Sequence, residues 1–192
     1  DSQTLLSYEQ LALRAGILGA RLSMTQGAGK QQRVALVLPH TVDSVTAMLA
    51  AVRAGYTYVP VDPYTPTDRA KFILQDAKCT ALICLDKSAQ LIQSLSSSLP
   101  QLQIIDFEST DFSDHSAVIP PVAGPATEAY ILYTSGSTGK PKGVIQRHKH
   151  VLHYLSVYTD SARIAADDRL SVLSTFSFDA SVKDIYSALL NG

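Results

Sequence analysis

One segment of the sequence carries side chains that could together hold a phosphate chain. It runs from Tyr133 to Gly143, reads Tyr-Thr-Ser-Gly-Ser-Thr-Gly-Lys-Pro-Lys-Gly, and follows a run of apolar residues. Its glycines allow the backbone to approach a ligand closely, and its hydroxyls and successive backbone N–H groups can donate to phosphate oxygens. We therefore predict a polyphosphate-binding loop with contacts from Thr134, Ser135, Gly136, Ser137, Thr138, Gly139, Lys140 and Lys142.

The spacing within this segment differs from that of two common nucleotide-binding loops. A Walker A loop requires Gly-x4-Gly-Lys-Ser/Thr, whereas the fifth position after Gly136 is Pro141. The dinucleotide-binding pattern Gly-x-Gly-x-x-Gly does not occur in the chain. The simpler alternative is a plain flexible hairpin, but the two lysines that follow the glycines favour phosphate binding.

A second candidate for chemistry is Asp179, which stands at the predicted start of a helix in the string Phe178-Asp179-Ala180-Ser181. Taken alone, a carboxylate at this point is most often a helix cap that stabilises the first turn by about 1 kcal/mol. The residues around Asp179 give this carboxylate a second interpretation, as part of a binding site.

The elements that must position these residues alternate between helix and strand. Helices are indicated where apolar residues recur every three or four positions, and buried strands where they run together. The patterns predict helices near 8–22, 42–52, 66–77, 91–95 and 149–161 and after 179, and strands near 34–38, 58–61, 81–85, 103–106, 129–134 and 170–174. This order predicts an α/β fold, a mostly parallel sheet with helices on both faces.

Composition excludes several classes of protein. The 16 Lys and Arg residues nearly balance the 17 Asp and Glu residues, which argues against binding nucleic acid through bulk charge. No apolar run approaches the ~20 residues that a membrane span needs. The two cysteines form no Cys-x-x-Cys motif, and the histidines at 148, 150 and 153 lack zinc-protease spacing, so we predict no metal site. The cysteine usage fits a reducing cytoplasm.

The motifs resemble those of the adenylate-forming superfamily, and within it the adenylation domains of nonribosomal peptide synthetases. The string 133–143 is similar to the superfamily's phosphate-binding signature, and segments 6–11, 53–63 and 178–181 resemble the first, second and fourth core motifs of the adenylation domains. Four motifs in the expected order span nearly the whole chain. One departure is Glu128, because the family usually has an apolar residue there.

The resemblance implies a two-step reaction. A carboxylate attacks the α-phosphorus of ATP, which enters with Mg²⁺, and pyrophosphate leaves. The activated amino acid then passes to the phosphopantetheine thiol of a peptidyl carrier protein, with neighbouring synthetase domains as further partners in secondary metabolism. Residues 1–192 would be a fragment of the N-terminal subdomain of this domain, without its C-terminal subdomain, and we expect them to be inactive alone.

The resemblance also assigns roles to single residues. It implies that Asp179 pairs with the α-ammonium group of the substrate, because amino-acid-activating members carry this aspartate. Phe178, Ala180 and Lys183 fall at substrate-binding positions, and His148 falls at a supporting position near the nucleotide. No residue is assigned to proton transfer or nucleophilic attack.

Lys183 stands where an apolar aromatic residue is common in the family. A cation in the pocket wall favours an acidic or polar amino acid, whereas the alternative is a lysine that extends along its helix to solvent. Arg69 and Asp76 are expected on a helix away from the motifs, and packing is the expected role of Tyr130 and Tyr133.

Two other functions remain open at this point. An acyl- or aryl-CoA synthetase uses the same phosphate-binding signature but usually lacks the aspartate at position 179. A non-catalytic nucleotide-binding module would keep the loop without the reaction.

Overall fold

The computed structural model describes residues 5–24, 32–87, 89–114, 123–135 and 140–191. The strands are β1 Arg33–Val37, β2 Thr57–Pro60, β3 Ala81–Cys84, β4 Gln103–Asp106, β5 Glu128–Thr134 and β6 Lys142–Arg147. The helices are α1 Tyr8–Ser23, α2 Val42–Arg53, α3 Thr67–Asp76, α4 Gln90–Ser98, α5 His148–Ala162 and α6 Asp179–Asn191. No helix in the described ranges is both long and apolar enough to cross a membrane.

The strands form one sheet in the order β4-β3-β1-β2-β5-β6, and every neighbouring pair is parallel except β5 and β6. Because successive side chains of a strand point to opposite faces, Val34 and Leu36 enter one core layer and Ala35 and Val37 the other. Helices α1, α2 and α6 cover the first layer, and α3 and α4 cover the second. The predicted α/β architecture is confirmed.

Local signals set the ends of the first helices. Ser7 caps α1 by accepting a hydrogen bond from the Gln10 backbone N–H, and the Gln10 side chain accepts one from the Ser7 N–H. This reciprocal capping satisfies two backbone donors at the helix start. The chain leaves α2 through Gly55, whose φ of 76° is a left-handed conformation that glycine adopts without steric cost.

The course of the chain leaves a crevice at the carboxyl ends of two inner strands, β2 and β5. The connection that leaves β2 crosses back over β1 to reach β3, whereas the connection that leaves β5 turns the other way, to β6. Open α/β sheets bind ligands outside the carboxyl ends of strands whose connections diverge in this manner. The topology therefore predicts a ligand-binding site at the carboxyl ends of β2 and β5.

The sequence patterns missed one strand and predicted another that does not form. They missed β6 because the only two adjacent apolar residues of that strand, Val144 and Ile145, stand on an edge strand and are each 45% exposed. The strand predicted at 170–174 does not form. Val172 packs against the first core layer while Leu173 is 88% exposed, and among the described residues no strand pairs with this segment.

The hairpin of β5 and β6 is anchored to α3 by one side chain. The Tyr133 hydroxyl donates a 2.7 Å hydrogen bond to the Asp76 carboxylate at the end of α3. Tyr133 pairs with Gly143 across the hairpin. A Cβ atom at Gly143 would lie 3.0 Å from both Tyr133 Cζ and Ile131 Cγ2, so the missing side chain leaves room for the tyrosine ring.

We predict that Gly143→Ala lowers the free energy of unfolding by about 1–3 kcal/mol, because the added methyl group overpacks a filled space. The measurement is urea denaturation of the full-length protein that carries this chain. Gly124→Ala is the matched control, since a Cβ atom there would have nothing within 4 Å. Equal stability of the two variants would contradict the packing argument.

Candidate functional site

A cavity of about 950 Å³ lies at the carboxyl ends of β2 and β5. Pro60 and Val61 line it at the end of β2, and Thr134 and Ser135 line it at the end of β5. Helices α3, α5 and α6 and strand β6 complete its walls. Its position is the one that the divergent connections of the sheet predict.

The described part of the predicted phosphate-binding loop lies at this cavity and on the adjoining hairpin. Thr134 and Ser135 are exposed at the cavity wall. Lys142 is the first residue of β6 and pairs with Thr134 across the hairpin, and Lys140 is exposed two residues earlier. The expected contacts from Gly136, Ser137, Thr138 and Gly139 fall outside the described residues.

Helix α3 brings a positive charge to the same wall. Thr65, Arg69 and Ile73 recur at a spacing of four and all line the cavity. Among the described residues, no carboxylate forms an ion pair with Arg69. The expectation that Arg69 and Asp76 lie away from the motifs was wrong, because α3 packs with this face toward β5, where Asp76 binds Tyr133.

The opposite wall carries the negative charge of Asp179, the first residue of α6. Asp179 and Phe178 both line the cavity, and Phe178 is 64% exposed. In the described part of the chain, no lysine, arginine or histidine forms an ion pair with Asp179. The start of α6 is held by other groups, since the Ser181 hydroxyl donates a 2.7 Å hydrogen bond to the Phe178 carbonyl.

Tyrosine side chains between these charges remain neutral. Burial, with the Asp179 charge and Tyr154 as further causes, raises the pKa of Tyr130 to about 12. Burial and the hydrogen bond to Asp76 raise the pKa of Tyr133 well above its ordinary value. Tyr130 also packs on Tyr58 with ring centroids 5.6 Å apart, which agrees with its expected packing role, and its ring lines the cavity as well.

Two of the expected substrate-binding residues do not line this cavity. Ala180 and Lys183 are absent from its walls. The Lys183 Nζ lies 3.4 Å from the Asp184 carboxylate and 4.7 Å from the centre of the Tyr158 ring. These partners hold the ammonium between α6 and α5, so the geometry gives no support to the acidic-substrate expectation.

The histidines at the start of α5 lie at two different cavities. His150 is exposed and lines the main cavity. His148, the expected supporting residue, is half-buried and lines a separate apolar cavity of about 460 Å³ beside α1 and α6. Burial lowers the pKa of its imidazole.

The arrangement suits a ligand with an anionic part and a cationic part. The hydroxyls can donate hydrogen bonds to phosphate oxygens, and Arg69 and the nearby lysines can neutralise their charge. The Asp179 carboxylate can hold an ammonium group. Sequence reasoning missed Arg69 on this wall. The position of Arg69 could have been inferred from the buried Ile73, which follows it by four residues and so lies on the same face of the helix.

The comparisons with known proteins point to one family. A family model described as AMP-binding enzyme matches residues 1–192. Tyrocidine synthase 1 of Brevibacillus parabrevis is 34% identical over 187 residues. The L-proline--[L-prolyl-carrier protein] ligase of Pseudomonas fluorescens is 36% identical over 197 residues, 98% of this chain and 39% of that protein.

The solved structure of the nonribosomal peptide synthetase FmoA3 in its AMPPNP-bound form superposes with a TM-score of 0.81 at 27% identity, over 99% of this chain and 20% of that one. This chain covers only part of its relatives. The match to tyrocidine synthase 1 includes 97% of this chain but 17% of that protein, and the match to tyrocidine synthase 2 includes 5% of that protein. Because the family model matches from the first residue to the last, the chain belongs to the AMP-binding enzyme family.

Proposed function

We propose that the full-length protein that carries this chain activates an amino acid with ATP to form an aminoacyl adenylate and pyrophosphate. The observation that carries the proposal is the Asp179 carboxylate, which lines the cavity with no ion-pair partner among the described residues. A carboxylate in such a wall is complementary to the α-ammonium group of an amino acid, and an acid without the amine would leave it unpaired.

The reaction brings two anions together. An oxygen of the substrate carboxylate attacks the α-phosphorus of ATP, the bond from that phosphorus to the bridging oxygen breaks, and pyrophosphate leaves. Donors and cations must therefore offset the repulsion and the charge on the leaving group. We assign this task to the hydroxyls of Thr134 and Ser135, to the lysines of the hairpin and to Arg69, with Mg²⁺ entering as part of the ATP complex.

We further propose that the aminoacyl group passes to the phosphopantetheine thiol of a carrier protein. In that step the sulfur attacks the acyl carbon, AMP leaves, and the thiol proton goes to solvent. The names of similar proteins support this step, since one is a prolyl-carrier protein ligase and the solved structure FmoA3 is a nonribosomal peptide synthetase. Residues 1–192 would form the N-terminal portion of the adenylation domain in such a protein.

We predict that Asp179→Asn raises the KM for the amino acid, and lowers kcat/KM for it, by about a hundredfold, because the substituted amide carries no negative charge to pair with the ammonium group. The KM for ATP should change little. The measurement is amino-acid-dependent ATP–pyrophosphate exchange by the full-length protein, run in parallel with the same acid lacking its amino group.

Asp184→Asn is the control for this variant, because Asp184 lies on the same helix but pairs with Lys183 away from the cavity. An Asp179→Asn variant that activates the amino acid as well as the control does would contradict the assignment. Equal activation of the deaminated acid by the unmodified protein would favour an acyl- or aryl-CoA synthetase, and ATP binding without exchange in the presence of any acid would favour a non-catalytic module.

We also predict that the double change Lys140→Ala and Lys142→Ala raises the KM for pyrophosphate about tenfold or more, since charge-assisted hydrogen bonds to phosphate are lost. The amino-acid KM should remain within twofold. Lys149→Ala is the matched control, because Lys149 is exposed on α5 and does not line the cavity. Raised salt should narrow the difference by screening exposed charge, and equal values for both variants would remove the lysines from the phosphate site.

A further inference from the structure

The segment that delivers Asp179 to the cavity has little regular structure of its own. Residues 164–178 connect α5 to α6 without a helix or strand. Within it the Phe178 N–H donates a 3.0 Å hydrogen bond to the Thr175 carbonyl, which shapes one turn before α6. The core packing of Val182 and Ile185 fixes the body of α6, and contacts from other elements fix the path of the segment that enters it.

His40 supplies two such contacts. Its ring stacks on Phe176 with centroids 4.2 Å apart and an interplanar angle of 22°. Its Nε2 atom lies 2.9 Å from the Ser174 carbonyl oxygen. Because a carbonyl oxygen only accepts, Nε2 carries the hydrogen, as it does in one neutral tautomer and in the imidazolium. The histidine thus holds the segment by a ring face and by a hydrogen bond.

Hydrogen bonds fix the turn between β1 and α2 that carries His40. His40 follows Pro39 just beyond β1, and the Pro39 carbonyl accepts hydrogen bonds from the Thr41 N–H at 2.8 Å and from the Ser44 hydroxyl at 2.6 Å. Ser44 is buried in the first turn of α2. The turn between β1 and α2 is therefore tied to the start of α2, and His40 links this turn to the segment.

We infer that His40 is a positioning residue for substrate selection, which fixes residues 174–178 so that Phe178 and Asp179 face the cavity. His40 itself does not line the cavity, so it acts through the segment rather than on the substrate. The inference rests on the proposed function, because it gives His40 a role in the recognition of the ammonium group by Asp179.

The test uses three variants of the full-length protein that remove the contacts separately. His40→Ala removes both, His40→Phe keeps a ring for stacking, and His40→Gln keeps a side-chain N–H donor. We expect His40→Ala to raise the amino-acid KM about tenfold, the factor that one stacking contact and one hydrogen bond together support, and to reduce the preference for the amino acid over its deaminated analogue. The ATP KM should stay within twofold, and the Phe and Gln variants should each restore part of the loss.

His153→Ala is the control, since His153 is exposed on α5 and does not line the cavity. A role in general stability would lower the fraction of active protein while leaving the KM and the preference unchanged. That outcome, or an equal rise in the KM for ATP, would overturn the inference. If His40→Ala does not fold, the Phe and Gln variants carry the same comparison.

Hydrogen exchange separates this inference from the proposed function. His40→Ala should speed amide exchange in residues 174–179 at least tenfold, with no change in β1 or β3, whether or not the protein activates amino acids. Unchanged exchange in that segment would overturn the role of His40. Failure of the unmodified protein to catalyse amino-acid-dependent exchange would overturn the proposed function, and the amide exchange rates would still decide the question of His40.

Discussion

The pairing of β2 with β5 is the constraint on which the site depends. These strands are neighbours in space but lie far apart in the chain, and their connections leave the sheet in opposite directions. No connection can cover the space between their carboxyl ends, so a crevice remains there. The side chains that follow each strand, together with those of three helices and β6, then face one shared volume of about 950 Å³.

Asp62, Arg69 and Asp179 line this volume, and the architecture brings the last two to it on different helices. Arg69 arrives on α3, which covers one face of the sheet, and Asp179 arrives on α6, which packs on the other face. The two helices place their charged residues on different walls, and neither residue has an ion-pair partner among the described residues. Arg69 and Asp179 could therefore face the anionic and the cationic part of one ligand or of two adjacent ligands.

Much of this architecture can be read from the sequence, and the exceptions have physical causes. Apolar runs and helical periodicity were sufficient for β1 to β5 and for the helices, because those elements bury many side chains. They failed for β6 and for 170–174, where pairing with neighbouring strands, rather than burial, decides the structure. The same division holds at the site: Thr134, Ser135, Phe178 and Asp179 line the cavity, whereas the placement of Arg69 and Lys183 depends on how α3 and α6 pack.

Glu128, which departs from the family pattern, pairs with Arg33 away from the cavity. Its carboxylate accepts hydrogen bonds from Arg33 Nη2 at 3.0 Å and Nε at 3.2 Å, and Arg33 Nη1 donates to the Ala77 carbonyl beyond α3. Both side chains are about four-fifths buried, so either charge alone would be costly and the two are best understood as one unit. Arg33 begins β1 and Glu128 begins β5. The pair therefore joins the amino ends of β1 and β5, whereas the cavity lies at the carboxyl ends of the strands. A polar substitution at this position can be accommodated without changing the groups that face a ligand.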